Sequence, residues 1–347
     1  MATIYDHIAQ NKRRTWLLVL LFPITFVVLG YVFLFGFYQL ASTPQGQSSY
    51  SGSYYSQTAP RSYYSQTPAE EGSSALEHAN QTALYVLPFL WVGAVLWIVI
   101  AYFAGDRMLL HGARAIEIHR EDQPEIYNLV ENLCISQGLP TPRIYIIDDE
   151  SLNAFATGRD PEHASVALTK GIVQKLERVE LEGVVAHELA HIQNRDIRLM
   201  LITVAGISFF TFLSEICFRM GLRASRRSSK NSGGAAALMF VLGIFFAIYG
   251  YLVAPLIRLA VSRTREFQAD ATGALMTRHP AALARALRKI SADPRVEALD
   301  EHASMAAMCI ENPLQKNGLF ASLSGLFATH PPVEERIAAL QEMDGRI

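Results

Sequence analysis

Two histidines four residues apart flank a glutamate in His187-Glu188-Leu189-Ala190-His191. On a helix, residues i and i+4 share a face, so both imidazoles can reach one ion. Glu188 is displaced around the helix, placed to work on a water that such an ion holds rather than to bind the ion. That is the chemistry of metal-assisted hydrolysis. By average composition the pentapeptide arises by chance in roughly one chain in a hundred of this length, so it needs support. Ser262-Arg263-Thr264-Arg265-Glu266-Phe267-Gln268-Ala269-Asp270 supplies it. A catalytic zinc takes three protein ligands and keeps one position open. Glu266 can be the third ligand. Asp270, one turn later on the same face, can accept a hydrogen bond from the non-ligating nitrogen of a zinc histidine. Alone, a Glu/Asp pair is better read as a solvated helix face; beside the histidine pair, the metal role is preferred.

The elements around these residues belong to a membrane protein. Half of the 347 residues are hydrophobic and only 18% are charged, and the excess is gathered into four blocks, the pattern of spans plus a water-facing domain. Residues 1–40 form a tail and a first transmembrane helix, apolar from Trp16 to Phe37 behind Lys12, Arg13 and Arg14. That length crosses a bilayer, and the basic residues place the N-terminus in the cytoplasm. Residues 41–81 are rich in Ser, Tyr, Gln, Thr, Gly and Pro, and Ser-Tyr-Tyr-Ser-Gln-Thr occurs at 53–58 and again at 62–67. Such a tract lacks the aliphatic residues to build a core and reads as an extracytoplasmic loop. A second transmembrane helix covers 82–104.

Residues 105–198 read as the first part of a mostly helical α+β domain with a small sheet. A helix is expected over Pro124–Gln137 and strands over Arg143–Ile147 and Ser165–Thr169, the latter half-buried. The histidine-bearing helix is expected to run straight on into a hydrophobic hairpin, residues 199–256, which holds transmembrane helices three and four. Within it, Glu215, near the block's end, is expected to snorkel or to pair with Arg219. Residues 257–347 are the second part of the catalytic domain. His187 precedes the hairpin and Glu266 follows it, so the pair must begin and end on one side. Its connecting Arg219, Arg223, Arg226, Arg227 and Lys230 then lie outside, against the positive-inside tendency. Full crossing is nonetheless favoured by the block lengths.

The net charge of -2 and the absence of a long basic run argue against nucleic-acid binding. Cys134, Cys217 and Cys309 have no ligand spacing and read as buried apolar fillers.

The sequence resembles the HtpX family of membrane zinc endopeptidases, relatives of the CaaX prenyl-protein endopeptidases. The matching residues are Asn153-Ala154-Phe155-Ala156-Thr157-Gly158, the histidine pentad with Asn194 and Asp196, Glu266 to Asp270, and Thr329-His330-Pro331-Pro332 with Arg336. The resemblance implies a zincin domain of the gluzincin type. It implies one zinc per chain on His187, His191 and Glu266, with Glu188 as general base. It implies that His330 and Arg336 stabilise the transition state and that Asn153 binds substrate backbone beside an edge strand supplied by Ser165–Thr169. Read from the sequence alone, His330 is better taken as capping a turn before two prolines. The implied substrates are misfolded or damaged membrane proteins, or unfolded polypeptides, cut at the cytoplasmic side of the inner membrane. Alternatives are a prenyl-protein endopeptidase and a catalytically silent, zinc-stabilised membrane scaffold. Glu188 argues against the scaffold, because a structural site has no use for a base in that slot.

Overall fold

A computed structural model describes residues 4–42, 68–226, 232–253, 263–292, 308–310 and 331–345. The chain divides into two compact units: Val19–Trp97, and Met1–Leu18 together with Ile98–Ile347. Three of the described helices are long and apolar enough to cross a membrane, over Ala9–Gly36, Leu76–Gly112 and Asp196–Ser225, and Ala236–Gly250 is a shorter apolar helix. These helices, α1 (Ile4–Ser42), α2 (Pro68–Gly112), α6 (Asp196–Ser225) and α7 (Ser232–Val253), correspond to the four apolar blocks. Of the tract expected to be a loop, 43–67 lies outside the described residues. Residues 68–81 are helical, because α2 begins well ahead of its apolar stretch.

In the Val19–Trp97 unit, α1 and α2 lie side by side. Tyr31 donates to Asn80 Oδ1 at 2.7 Å, and the Tyr38 and Thr82 hydroxyls meet at 2.8 Å. Leu84, Tyr85 and Phe89 are largely exposed, as side chains facing lipid would be.

The other unit holds a four-stranded sheet of order β1-β2-β4-β3, built from β1 (Ala115–Ile118), β2 (Arg143–Ile147), β3 (Ala154–Gly158) and β4 (Ala164–Thr169). β2 and β4 are parallel; the outer pairs are antiparallel. Two expectations change here. β4 is an inner strand, and the edges are β1 and β3. β4 is also buried along its whole length rather than on one face. The reason lies in the alternation of side chains. Ile144, Ala154, Ala156, Val166 and Leu168 face one core, shared with helices α3 (Pro124–Gln137) and α5 (Arg178–Gln193). Tyr145, Ile147, Phe155 and Ala167 face a second core with Leu109, Leu110, Leu201 and Val204. A sheet covered on both sides needs no polar face. The β3–β4 turn requires glycine at 158, whose φ is 139° and whose Cβ would lie 2.3 Å from the His163 carbonyl oxygen.

After β4 come the short α4 (Lys170–Lys175) and then α5. At its start, the Glu177 N–H donates to Glu180 Oε2 at 2.9 Å, and Lys289 of helix α9 (Pro280–Ile290) reaches the same carboxylate at 2.6 Å. α5 does not run straight into α6. It ends at Gln193, and Arg195 takes a left-handed φ of 59° before α6 begins at Asp196. α6 and α7 then pack as an antiparallel pair, with Ser214 donating to the Gly243 carbonyl at 2.8 Å and Phe210 edge-on to Tyr249 at 4.3 Å. Glu215 pairs with Arg219, as its spacing suggests.

The chain returns as α8 (Arg263–Thr277), which lies against α5. Gly273 permits the approach: a Cβ there would sit 2.9 Å from the His187 backbone nitrogen. Helix α10 (Val333–Asp344) packs on α8 and α9. Gly273→Ala is therefore expected to push α8 from α5, costing about 1–3 kcal/mol as a lower thermal unfolding midpoint in detergent. Gly93→Ala, with nothing within 4 Å of the added Cβ, serves as the neutral control. Equal midpoints for the two variants would contradict the close approach.

Candidate metal centre

Helix α5 presents His187 and His191 one turn apart, their rings 4.7 Å between centroids and nearly perpendicular at 89°. Their Nε2 atoms face each other at 3.2 Å. From α8, Glu266 brings Oε2 to 3.8 Å from His187 Nε2 and Oε1 to 3.6 Å from His191 Nε2. These are the spacings of atoms that share one ion: zinc bonds of about 2.0–2.1 Å in a tetrahedron set ligands about 3.3 Å apart. Ligand atoms from the three residues all lie within 4.8 Å of one another. The donor set, two imidazoles and a carboxylate, is one that zinc takes in open catalytic sites.

The surroundings support that fit. His187 is fully buried, and Glu188, Glu266 and Asp270 are each only 2% exposed. Burial alone would lower the pKa of His191. The Asp196 hydrogen bond and the carboxylates of Glu266 and Glu188 outweigh it and raise the pKa to about 9. A site so rich in negative charge calls for a cation.

Each histidine has a carboxylate behind it. Asp196 Oδ2 lies 3.0 Å from His191 Nδ1. On an unbroken helix, side chains five residues apart would point about 140° away from each other; the turn at Arg195 brings Asp196 back. Asp270 Oδ1 lies 2.9 Å from His187 Nδ1. That is hydrogen-bond distance, at an angle away from the ideal. Arg336, fully buried on α10, clasps Asp270 with Nε at 2.8 Å and Nη2 at 2.7 Å. Burial pushes the Asp270 carboxyl up, but Arg336 outweighs it and holds the pKa at about 2.

Arg336 lies beside the cluster, its Nη1 4.0 Å from Glu266 Oε2. Its Nη1 donates to the Ile310 carbonyl at 3.0 Å, and its Nε and Nη2 are committed to Asp270. His330 lies outside the described residues. Asn153 is buried at the head of edge strand β3, where its Oδ1 accepts from the Ala154 N–H at 3.0 Å. The outward carbonyl of Ala154 accepts from the Ile310 N–H at 2.9 Å.

Three features escaped sequence reasoning. Residues 308–310 lie against the edge strand, and nothing in their spacing signals it. Cys309 is buried within reach of Glu188; burial, then that carboxylate, push its thiol pKa up. Asn11 and Arg265 both contact Asp196 from far along the chain. Cys134 and Cys217 are buried free thiols, as expected of fillers.

Residues 120–344 match the family model described as Peptidase family M48. The chain belongs to this family, in its HtpX group. Proteins named "Protease HtpX homolog" align along most of it. The one from Bacteroides fragilis is 41% identical over 96% of this chain and 97% of its own length. That from Tropheryma whipplei is 45% identical over 74% and 84%, and that from Thermoanaerobacter pseudethanolicus 34% over 98% of each. Among solved structures, that titled "Crystal Structure of S. mikatae Ste24p" aligns at a TM-score of 0.42 and 21% identity, covering 74% of this chain and 58% of that one. This HtpX homologue is a multi-pass membrane metallopeptidase with a His-His-Glu cluster able to bind a metal.

The arrangement predicts different failures for the Asp270–Arg336 pair. Asp270→Ala should weaken metal binding about 10–100-fold, as loss of an outer partner of a ligand does. Arg336→Met strands a buried carboxylate and should cost about 3–5 kcal/mol of stability, with part recovered in the Asp270→Asn, Arg336→Met double variant. An Arg336→Met protein as stable as the native chain, but low in kcat alone, would return Arg336 to the oxyanion.

Proposed function

We propose that this chain is a zinc endopeptidase, one zinc per chain on His187, His191 and Glu266, which cuts unfolded or damaged membrane proteins at the cytoplasmic face of the inner membrane. The observation that carries the reading is the convergence of two Nε2 atoms and the Glu266 carboxylate beside the buried Glu188. Bound there, zinc would supply Lewis acidity and bring the pKa of water toward neutrality. Glu188 takes the proton as water attacks the scissile carbonyl, then passes it to the leaving amine. Asp196 and Asp270 fix the two imidazoles so that each Nε2 keeps its lone pair for the metal. Arg336 acts through Asp270. His330 is the remaining donor proposed for the oxyanion.

Substrate is proposed to add to edge strand β3, where main-chain hydrogen bonds give binding without strong sequence preference. Because the outward groups of Ala154 already pair with Asn153 and Ile310, substrate would pair further along, at Ala156 and Gly158. Asn153 would then position the strand rather than grip the substrate. The cytoplasmic orientation rests on Lys12, Arg13 and Arg14 ahead of the first apolar block, and the hairpin of α6 and α7 is proposed to cross fully.

Glu188→Gln tests the mechanism. Cleavage of casein or of an unfolded membrane protein should fall by orders of magnitude while zinc content stays at one per chain. Normal turnover in this variant would exclude Glu188 as the base.

A further inference from the structure

Asn11 stands in the first turns of α1, before the apolar block, and its side chain is 2% exposed. Its Nδ2 donates to Asp196 Oδ1 at 2.6 Å and to the Asn194 carbonyl at 3.1 Å. Both partners are acceptors, so the orientation of the amide is forced. Its Oδ1 accepts from Arg265 Nη1 at 3.3 Å, and the same nitrogen lies 3.4 Å from Asp196 Oδ1. Thr15 closes the turn by donating to the Asn11 carbonyl at 2.9 Å. With Asp196 Oδ1 held in this way, Oδ2 faces His191 Nδ1.

We propose that Asn11 is a positioning residue of the metal centre: it fixes Asp196 in the orientation that sets the tautomer of His191, so the head of the membrane anchor is part of the catalytic site. Several observations converge on this. Asn11, Asn194, Asp196 and Arg265 are all buried, and a buried carboxylate takes the orientation its donors dictate. The chemistry is specific to an amide, which donates to Asp196 while accepting from Arg265; a carboxylate in its place only accepts. Asn194 and Asp196 form the turn between α5 and α6, so Asn11 also anchors the kink that returns Asp196 to His191. Residues 1–18 group with the catalytic unit and not with Val19–Trp97. Loss of the first dozen residues would therefore weaken the metal centre while leaving every ligand in place.

This inference rests on His191 being a zinc ligand, and the test separates the two. Zinc dissociation constants are measured by chelator competition on the full-length detergent-solubilised chain, together with kcat and KM at rising zinc. Asn11→Ala should weaken zinc about 10-fold, the lower end for outer partners. Asn11→Asp, of the same size but without the donor, should weaken it at least as much, and it carries the test should Asn11→Ala fail to fold. In an Asp196→Ala background, Asn11→Ala should change zinc affinity by less than about twofold, since two members of one chain do not add. Saturating zinc should restore kcat in the Asn11 variants with KM unchanged, a rescue that a folding or insertion defect would not show. Zinc affinities in both Asn11 variants within about twofold of native, with His191→Ala unable to hold zinc, would overturn the inference and leave the ligand assignment intact. Native zinc affinity in His191→Ala would overturn the ligand assignment, and the inference with it.

Discussion

Two imidazoles and four carboxylates are buried together where the helices of the catalytic unit meet. His187 and His191 meet Glu188, Asp196, Glu266 and Asp270 in a site largely closed to water. Water screens such a cluster on a protein surface, but here it cannot, so each negative group needs a partner of its own. Asp270 has Arg336, and Asp196 has Arg265 and Asn11. Glu266 and the facing Nε2 atoms have each other at distances suited to a shared cation. At Asp270, Asp196 and Glu266 this matching lets the helices close on one another.

That matching is assembled from across the sequence. α5 contributes the histidines, α8 Glu266, α10 the arginine and α1 the amide. The two parts of the catalytic domain are separated in sequence by the apolar pair α6 and α7, and α6 starts at the site with Asp196. Gly273 lets α8 approach the α5 backbone, and the left-handed Arg195 lets Asp196 turn back. Both are backbone devices that exist for the geometry of the centre. The local cost of a non-glycine residue at positive φ fits the observation that strain gathers where function fixes the chain.

Much of this was legible in the sequence where chemistry and spacing are local. The histidine pentad carries its helix and its shared face in its own spacing, and Glu266 and Asp270 are one turn apart for the same reason. α3 and β2 follow from periodicity between prolines and a glycine. What was not legible depends on distant partners. Ser165–Thr169 reads as half-buried because its small residues alternate with apolar ones, yet both faces are covered by cores drawn from elsewhere. The family resemblance places Arg336 near the chemistry, but its bond to a buried aspartate 66 residues away has no local signal. Asn11 sits 185 residues before its carboxylate partner, and no local pattern marks it.

X-ray absorption at the zinc edge of the purified, membrane-extracted chain reads the metal's neighbours themselves. One zinc per chain is expected, with nitrogen and oxygen neighbours at about 2.0–2.2 Å and the scattering signature of two imidazoles. A sulfur neighbour at about 2.3 Å, which would bring Cys309 into the metal's coordination, or a spectrum with a single imidazole, would contradict the His187, His191 and Glu266 centre.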